Sequence, residues 1–202
     1  MRVRTRWPFV CLLAILAAIV PAAACADSNL LVTNPDFDDG LAGWTMGVSQ
    51  ASNIADDSDD CPGSFSFTGS STGPVSPSQV RIVSPDCIPV QPGDSLELEV
   101  TYRAEAPVHL EALPFGGANC SSSFIAELGP ALPPMGDWTV ARRSIVVGPA
   151  NVTGVRFAVI ALFDPGPVSF MLDLDRAYLG SAERIFADDF EATSICRWSN
   201  AN

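Results

Sequence analysis

Asn29-Leu30-Leu31-Val32-Thr33-Asn34-Pro35-Asp36-Phe37-Asp38-Asp39-Gly40-Leu41-Ala42-Gly43-Trp44 is the stretch that decides the fold. It reads as a short strand at 30–32 followed by a turn rich in Asp and Gly. Phe37 and Trp44 flank the centre of that turn. Large aromatics in such places usually bury, so the segment predicts the closing corner of a β-sandwich.

Upstream lies a leader. Arg2, Arg4 and Arg6 open the chain, Val10 to Val20 is an unbroken apolar run, and Pro21 to Ala26 is built of small residues. Charged start, apolar middle and an A-x-A site are the parts of a secretory signal. The apolar run is about half the roughly 20 residues that a membrane span needs. Cleavage is expected after Ala26. The rival reading is a lipid anchor on Cys25, because Ala22-Ala23-Ala24-Cys25 loosely resembles a bacterial lipobox that has Ala where Leu is preferred. The expected divisions are a signal over 1–26, a β-sandwich over 27–181 and a tail over 182–202. The expected location is secreted, periplasmic or on the cell surface, and no second apolar run reaches membrane length.

All 11 basic residues are Arg, and three of them fall in the leader; all 23 acids come later, so 8 Arg against 23 acids leave −15 beyond it. Such a charge argues against nucleic acid, which selects a cationic face, and against anionic membrane surfaces. It serves solubility, and it leaves room for calcium on some of the Asp residues. The run Asp56-Asp57-Ser58-Asp59-Asp60 lacks the EF-hand's Gly and Glu spacing and is read as a solvated loop.

Downstream, short apolar runs alternate with turn residues every 10 to 15 positions, the spacing of a sandwich. Ser95 to Arg103 is the clearest strand: Leu96, Leu98, Val100 and Tyr102 alternate with Glu97, Glu99 and Thr101. Pro92-Gly93-Asp94 before it is a turn. Further strands are expected at 64–68, with Phe65 and Phe67 on one face, and at 79–83, 108–113, 138–147, 152–163 and 168–179. The 152–163 strand is long and apolar, hence central. Eight or nine strands without crossover helices predict an all-β fold, an antiparallel two-sheet jelly-roll sandwich.

Beyond the leader four cysteines remain: Cys61, Cys87, Cys120 and Cys196. An even count in an exported chain reads as two disulfides. No C-x-x-C occurs and His109 is the one His, which argues against zinc. Cys61–Cys87 is the favoured pairing, since each borders a strand and the intervening strands can lie side by side. Cys120–Cys196 is then the remainder.

The opening N-P-D-F-D-D-G-L-A-G-W resembles the N-G-x-F-E-x-G-x-x-G-W of carbohydrate-binding modules with the galactose-binding-like jelly-roll fold. Residues 88 to 104, I-P-V-Q-P-G-D-S-L-E-L-E-V-T-Y-R-A, are similar to that family's v-x-P-G-x-x-Y-x-L strand pair. G-D-W-T-V-A-R-R-S-I at 136–145 and F-M-L-D-L-D-R-A-Y-L at 170–179 resemble its g-x-W and f-x-i-D-D-V-x-L strands. The four matches come in family order across residues 29–180. Asp38 departs from the usual Glu, and Arg176 stands where the second Asp of the closing pair would fall.

The resemblance implies a structural calcium shared by the first and last strands, on Asp38 with Asp175 or Asp173. It also implies Trp44 and Trp138 in the core. Sugar binding asks for exposed aromatic faces and a few polar groups; the candidates on the variable segment are Tyr102, His109, Phe115, Phe124 and Phe163. The tail I-F-A-D-D-F-E-A-T-S-I-C-R-W-S, residues 185–199, resembles the F-x-D-G-F-E-S-G…W-S ending of many secreted Gram-negative proteins. It reads either as a sorting or docking tag or as a terminal strand tied by Cys196.

Catalysis is not expected. His109 has no G-x-S-x-G to serve. Glu97 and Glu99 share the solvent face of one strand, which is not a carboxylate pair across a cleft; Glu105, Glu111 and Glu127 are left unassigned. The expected function is glycan binding at the cell surface or on extracellular polysaccharide. The alternative is a structural or protein-interaction module that meets an envelope protein and has no sugar site.

Overall fold

The computed structural model describes residues 29–47, 50–58, 65–74, 79–123, 128–148, 150–162 and 167–181. Alternating apolar runs dictate strands there: β1 (Thr45–Met46), β2 (Gln50–Ile54), β3 (Ser66–Pro74), β4 (Gln79–Val83), β5 (Ile88–Pro89) and β6 (Ser95–Ala104). They continue with β7 (Val108–Gly116), β8 (Ser122–Ser123), β9 (Met135–Val146), β10 (Gly154–Leu162) and β11 (Pro167–Ser181). One short 3-10 turn, Ala118–Cys120, is the helical exception among the described residues. No helix there is long and apolar enough to cross a membrane.

All strand pairs are antiparallel. The first sheet runs β1-β4-β10-β7-β8, with β5 also on β10; the second runs β2-β3-β11-β6-β9. The long strands β6, β7, β9, β10 and β11 alternate between the sheets, as a jelly roll requires. The expected two-sheet sandwich is therefore the observed one, and 152–163 is central as β10.

The core forms where the inward sides of the strands meet. Leu96, Leu98, Val100 and Tyr102 of β6 and Leu172, Leu174 and Leu179 of β11 face Val155, Phe157 and Val159 of β10 and Leu110 of β7. β11 keeps its apolar residues inside through a bulge. The register with β6 slips between Asp175 and Ala177, and Arg176 takes a left-handed φ of 45°. The extra residue lets Asp173 and Asp175 face outward while Ala177 and Leu179 still face inward.

The opening stretch is a knot of turns instead of a strand. Asn34 caps it on both sides: its Nδ2 donates to the Gly40 carbonyl at 2.8 Å and its Oδ1 accepts from the Asp39 N–H. Phe37 and Trp44 plug the gap between the sheets, 4.8 Å apart, with Phe37 against Phe67 and Trp44 edge-on to Phe157. Gly40 is required there: its φ is 66° and a Cβ would strike the Asn53 carboxamide. The expected strand at 30–32 gives way because Val32 and Thr33 donate their N–H groups to the Asp86 carboxylate. Phe65 likewise falls outside β3 and is exposed, while Phe67 is core.

The first described residues are stitched to the last strand. Asn29 Nδ2 donates to the Ala177 carbonyl at 3.0 Å, and the Leu179 N–H donates to Asn29 Oδ1 at 3.1 Å. Leu30 N–H donates to the Leu179 carbonyl, and Ala177 N–H to the Pro35 carbonyl, each at 2.7 Å.

Cys87 is bonded to Cys120, with a Cα–Cα distance of 5.8 Å, which corrects the expected Cys61–Cys87 pairing. The two meet because β5 and the end of β7 both pair with the start of β10 at Gly154 and Val155. A Cβ on Gly154 would lie 2.9 Å from both sulfurs. Cys61, Cys196 and the tail lie outside the described residues.

Candidate functional site

The outer face of the second sheet carries a row of polar side chains at one level across four strands. Register places Thr68 of β3 opposite Asp173 of β11, and Asp173 opposite Arg103 of β6. The Thr68 hydroxyl donates to Asp173 Oδ1. Arg103 answers on the other oxygen, with Nε at 2.7 Å and a second guanidinium nitrogen at 2.6 Å. The guanidinium then lies 4.8 Å over the ring of Trp138 on β9.

Trp138, expected in the core, sits on this outer face, half-buried, because β9 contributes Ala141 and Ile145 inward and the alternate residues outward. A register slip between Tyr102 and Ala104, opposite Thr139 and Met135, brings it level with Arg103. Its indole Nε1–H is shielded from solvent and has no hydrogen-bond partner.

Asp173 is 1 % exposed, a depth at which a carboxylate needs a fixed counter-charge. Arg103 supplies it and also reaches Asp56 at 2.8 Å. Burial alone would lower the Arg103 pKa, but the hydrogen bonds and charges of Asp56 and Asp173 outweigh it and raise the value. The guanidinium is thus a permanent cation held in place by two anions.

On one side of this row opens a cleft of about 620 Å³, lined by Arg103, Glu105, Met135, Met171 and Asp173, with Ala104 in its floor. Sites for small ligands span about 300–1,000 Å³ and combine apolar lining with a few fixed polar groups. Met171 is 44 % exposed and supplies apolar surface. Glu105 is oriented by the Met171 N–H, which donates to its Oε2 at 2.9 Å.

The residues expected from sequence to bind sugar are not gathered here. Tyr102 points inward, 1 % exposed, and its hydroxyl donates to the Pro133 carbonyl at 2.8 Å; it offers no face to a ligand. His109 and Phe115 lie on the outer face of the opposite sheet. His109 Nδ1 is 2.7 Å from the Gly129 carbonyl, and Phe115 sits under the Arg156 guanidinium at 5.4 Å. Phe124, Phe163 and Glu127 lie outside the described residues. Glu111 is engaged by Arg143 at 2.6 Å.

Asp38, Asp173 and Asp175, expected to share a calcium, each meet protein donors. Asp38 Oδ1 accepts the Phe65 N–H at 2.9 Å, Asp173 is neutralised by Arg103, and Asp175 accepts the Ser58 N–H at 3.1 Å and its hydroxyl. Among the described residues no group of three or more His, Cys, Asp or Glu side chains is placed to hold a metal. Of the run 56–60, read as a solvated loop, Asp56 is 64 % exposed though ion-paired, Asp57 is buried, and residues 59–60 lie outside the described residues.

No protein-family model matches the chain. No curated protein matches it either. Solved structures do match its fold. Over 76 % of this chain it is similar to the enzymatically active domain of bacteriophage CBA120 tailspike protein 4, with a TM-score of 0.55 and 15 % identity. Over 77 % it is similar to the CBM22-1–GH10 modules of Clostridium thermocellum xylanase 10B complexed with xylohexaose, with a TM-score of 0.54 and 12 % identity. The matched part spans 21 % of the first of those chains and 29 % of the second. TmCBM61 in complex with β-1,4-galactotriose matches over 76 % of this chain and 99 % of its own, with a TM-score of 0.49 and 13 % identity. The class thus defined is the antiparallel two-sheet β-sandwich. At these identities the likeness is one of fold alone.

Proposed function

We propose that the protein is a non-catalytic module that binds carbohydrate in the cleft on the outer face of its second sheet. The observation that carries this reading is the Thr68–Asp173–Arg103–Trp138 row bordering a cleft of ligand size. Sugar rings present hydroxyls and an apolar face together. Rigid hydrogen-bonding groups meet the first, and Met171 and Met135 meet the second, while Trp138 supports Arg103 from beneath. Glu105 and Asp173 are both held in place, which suits fixing hydroxyls more than moving protons. With Asp56, Glu105 and Asp173 close by and a formal net charge of −12, the cleft favours neutral sugars over uronates or sulfated chains. Secretion, read from the leader, would put the module where such chains are found.

The test is calorimetric titration of the full chain with neutral gluco-, xylo- and galacto-oligosaccharides. Binding to one coherent set, weakened about tenfold by Met171→Ala (about 1.4 kcal/mol) with the fold intact, is the expected result. A folded sample silent toward every sugar would overturn the reading.

A further inference from the structure

β2 and β3 are antiparallel neighbours whose ladder ends at Ile54 opposite Ser66. A two-residue turn suffices for such a pair, yet residues 55–65 join them. The described part of this connection that leaves β2, residues 55–58, bends back over the outer face of the second sheet and is fastened at three points. The Ser66 hydroxyl donates to the Asp56 carbonyl at 2.9 Å. Asp56 grips Arg103 at 2.8 Å. Ser58 donates twice to Asp175, through its N–H at 3.1 Å and its hydroxyl.

The strap lies on one side of the polar row and the cleft on the other. Beyond the row the outer face is closed: Asp57, Thr101, Asp175 and Tyr178 are all buried. Before it the face is open at Glu105, Met135 and Met171. A ligand running along the strand direction beyond the row would have to pass the Arg103–Asp56 contact, and the strap stands there.

We infer that the strap of residues 55–58 is a specificity element that makes the cleft blind at one end. The ligand is then a short oligosaccharide or the terminus of a longer chain, entered from the Glu105 side, and not an internal stretch of polysaccharide. This inference rests on the carbohydrate-binding reading of the same cleft.

The experiment is calorimetry of the full chain against neutral β-1,4-linked gluco-, xylo- and galacto-oligosaccharides of one to six rings. Each is compared with the corresponding polymer before and after its chains are shortened by partial hydrolysis. The expected affinity reaches its final value by about three rings, and binding capacity per gram of polymer rises as chain ends are created. In Asp56→Asn/Ser58→Ala, which frees the strap at small cost in volume, six-ring ligands gain at least about threefold over three-ring ligands. Wild-type affinity that climbs about tenfold between three and six rings, or capacity indifferent to chain ends, would overturn the blind end while leaving sugar binding in place. No binding at any length by a folded sample removes both. The wild-type arm decides the matter even where the double variant does not fold.

Discussion

Replacing Arg103 by Met tests whether the polar row is held by charge. The side chain keeps its stem and loses its guanidinium. Its two partners then fare differently. Asp56 is 64 % exposed, so water takes over and the loss is about 0–1 kcal/mol. Asp173, 1 % exposed, is left with the Thr68 hydroxyl as its remaining side-chain donor. Breaking a buried pair from one side costs about 3–5 kcal/mol. Arg103 is itself 25 % exposed, so the lower end applies, and the lost contact with Trp138 adds about 0.5–1 kcal/mol. Arg103→Met should therefore lose about 3.5–5 kcal/mol in urea unfolding followed by tryptophan fluorescence.

One signature separates this cause from simple loss of packing. Arg103→Met/Asp173→Leu, which removes both charges, should recover most of the loss. A deficit below about 1 kcal/mol, or a double variant no better than the single, would refute the reasoning.

Three further outcomes follow from the same structure. Burial raises the Tyr102 phenol above its ordinary 10.0. The stability it contributes is complete below pH 10 and is lost as pH rises through the raised value, so Tyr102→Phe should cost about 1 kcal/mol at pH 7 and lose less than wild type above pH 10 in an alkaline unfolding series. Cys87→Ser/Cys120→Ser opens a link across a sequence separation of 33 and should cost about 3–4 kcal/mol in the chain-entropy account, read as a fall in urea midpoint. Gly154→Ala must push a methyl against both sulfurs and should cost about 1–3 kcal/mol. In a background lacking the disulfide, Gly154→Ala should cost clearly less, measured as a double-mutant cycle.

Local patterns carried the parts of this fold that depend on neighbours in sequence. β6 was legible because Leu96 to Tyr102 alternates with a period of two, and the turn at 92–94 because Gly93 adopts a φ of 93° that suits glycine. The Phe37 and Trp44 plug was legible from its turn residues. The site was not. Arg103 meets Asp56 across 47 residues and Asp173 across 70, and no local pattern encodes such a meeting. Trp138 was misplaced because a strand-edge aromatic looks alike on either face until the β6–β9 register slip is known. The Cys87 partner depended on which strands border β10. The acidic run at 56–60 hid its role because one Arg on another strand turns part of it from a solvated loop into a tether.

The seam between residues 29–35 and 177–179 sets an order of events in folding. Residues 29–35 bond Asp86 and their own turn, but the contacts of Asn29, Leu30 and Pro35 with 177–179 wait for the last strand, so this seam closes only when nearly the whole described chain has emerged. Contacts between distant parts of a chain make folding slow. Trimming a few residues from the front of this domain and trimming a few from its back should therefore produce one and the same defect: a sandwich that forms its sheets but fails to latch.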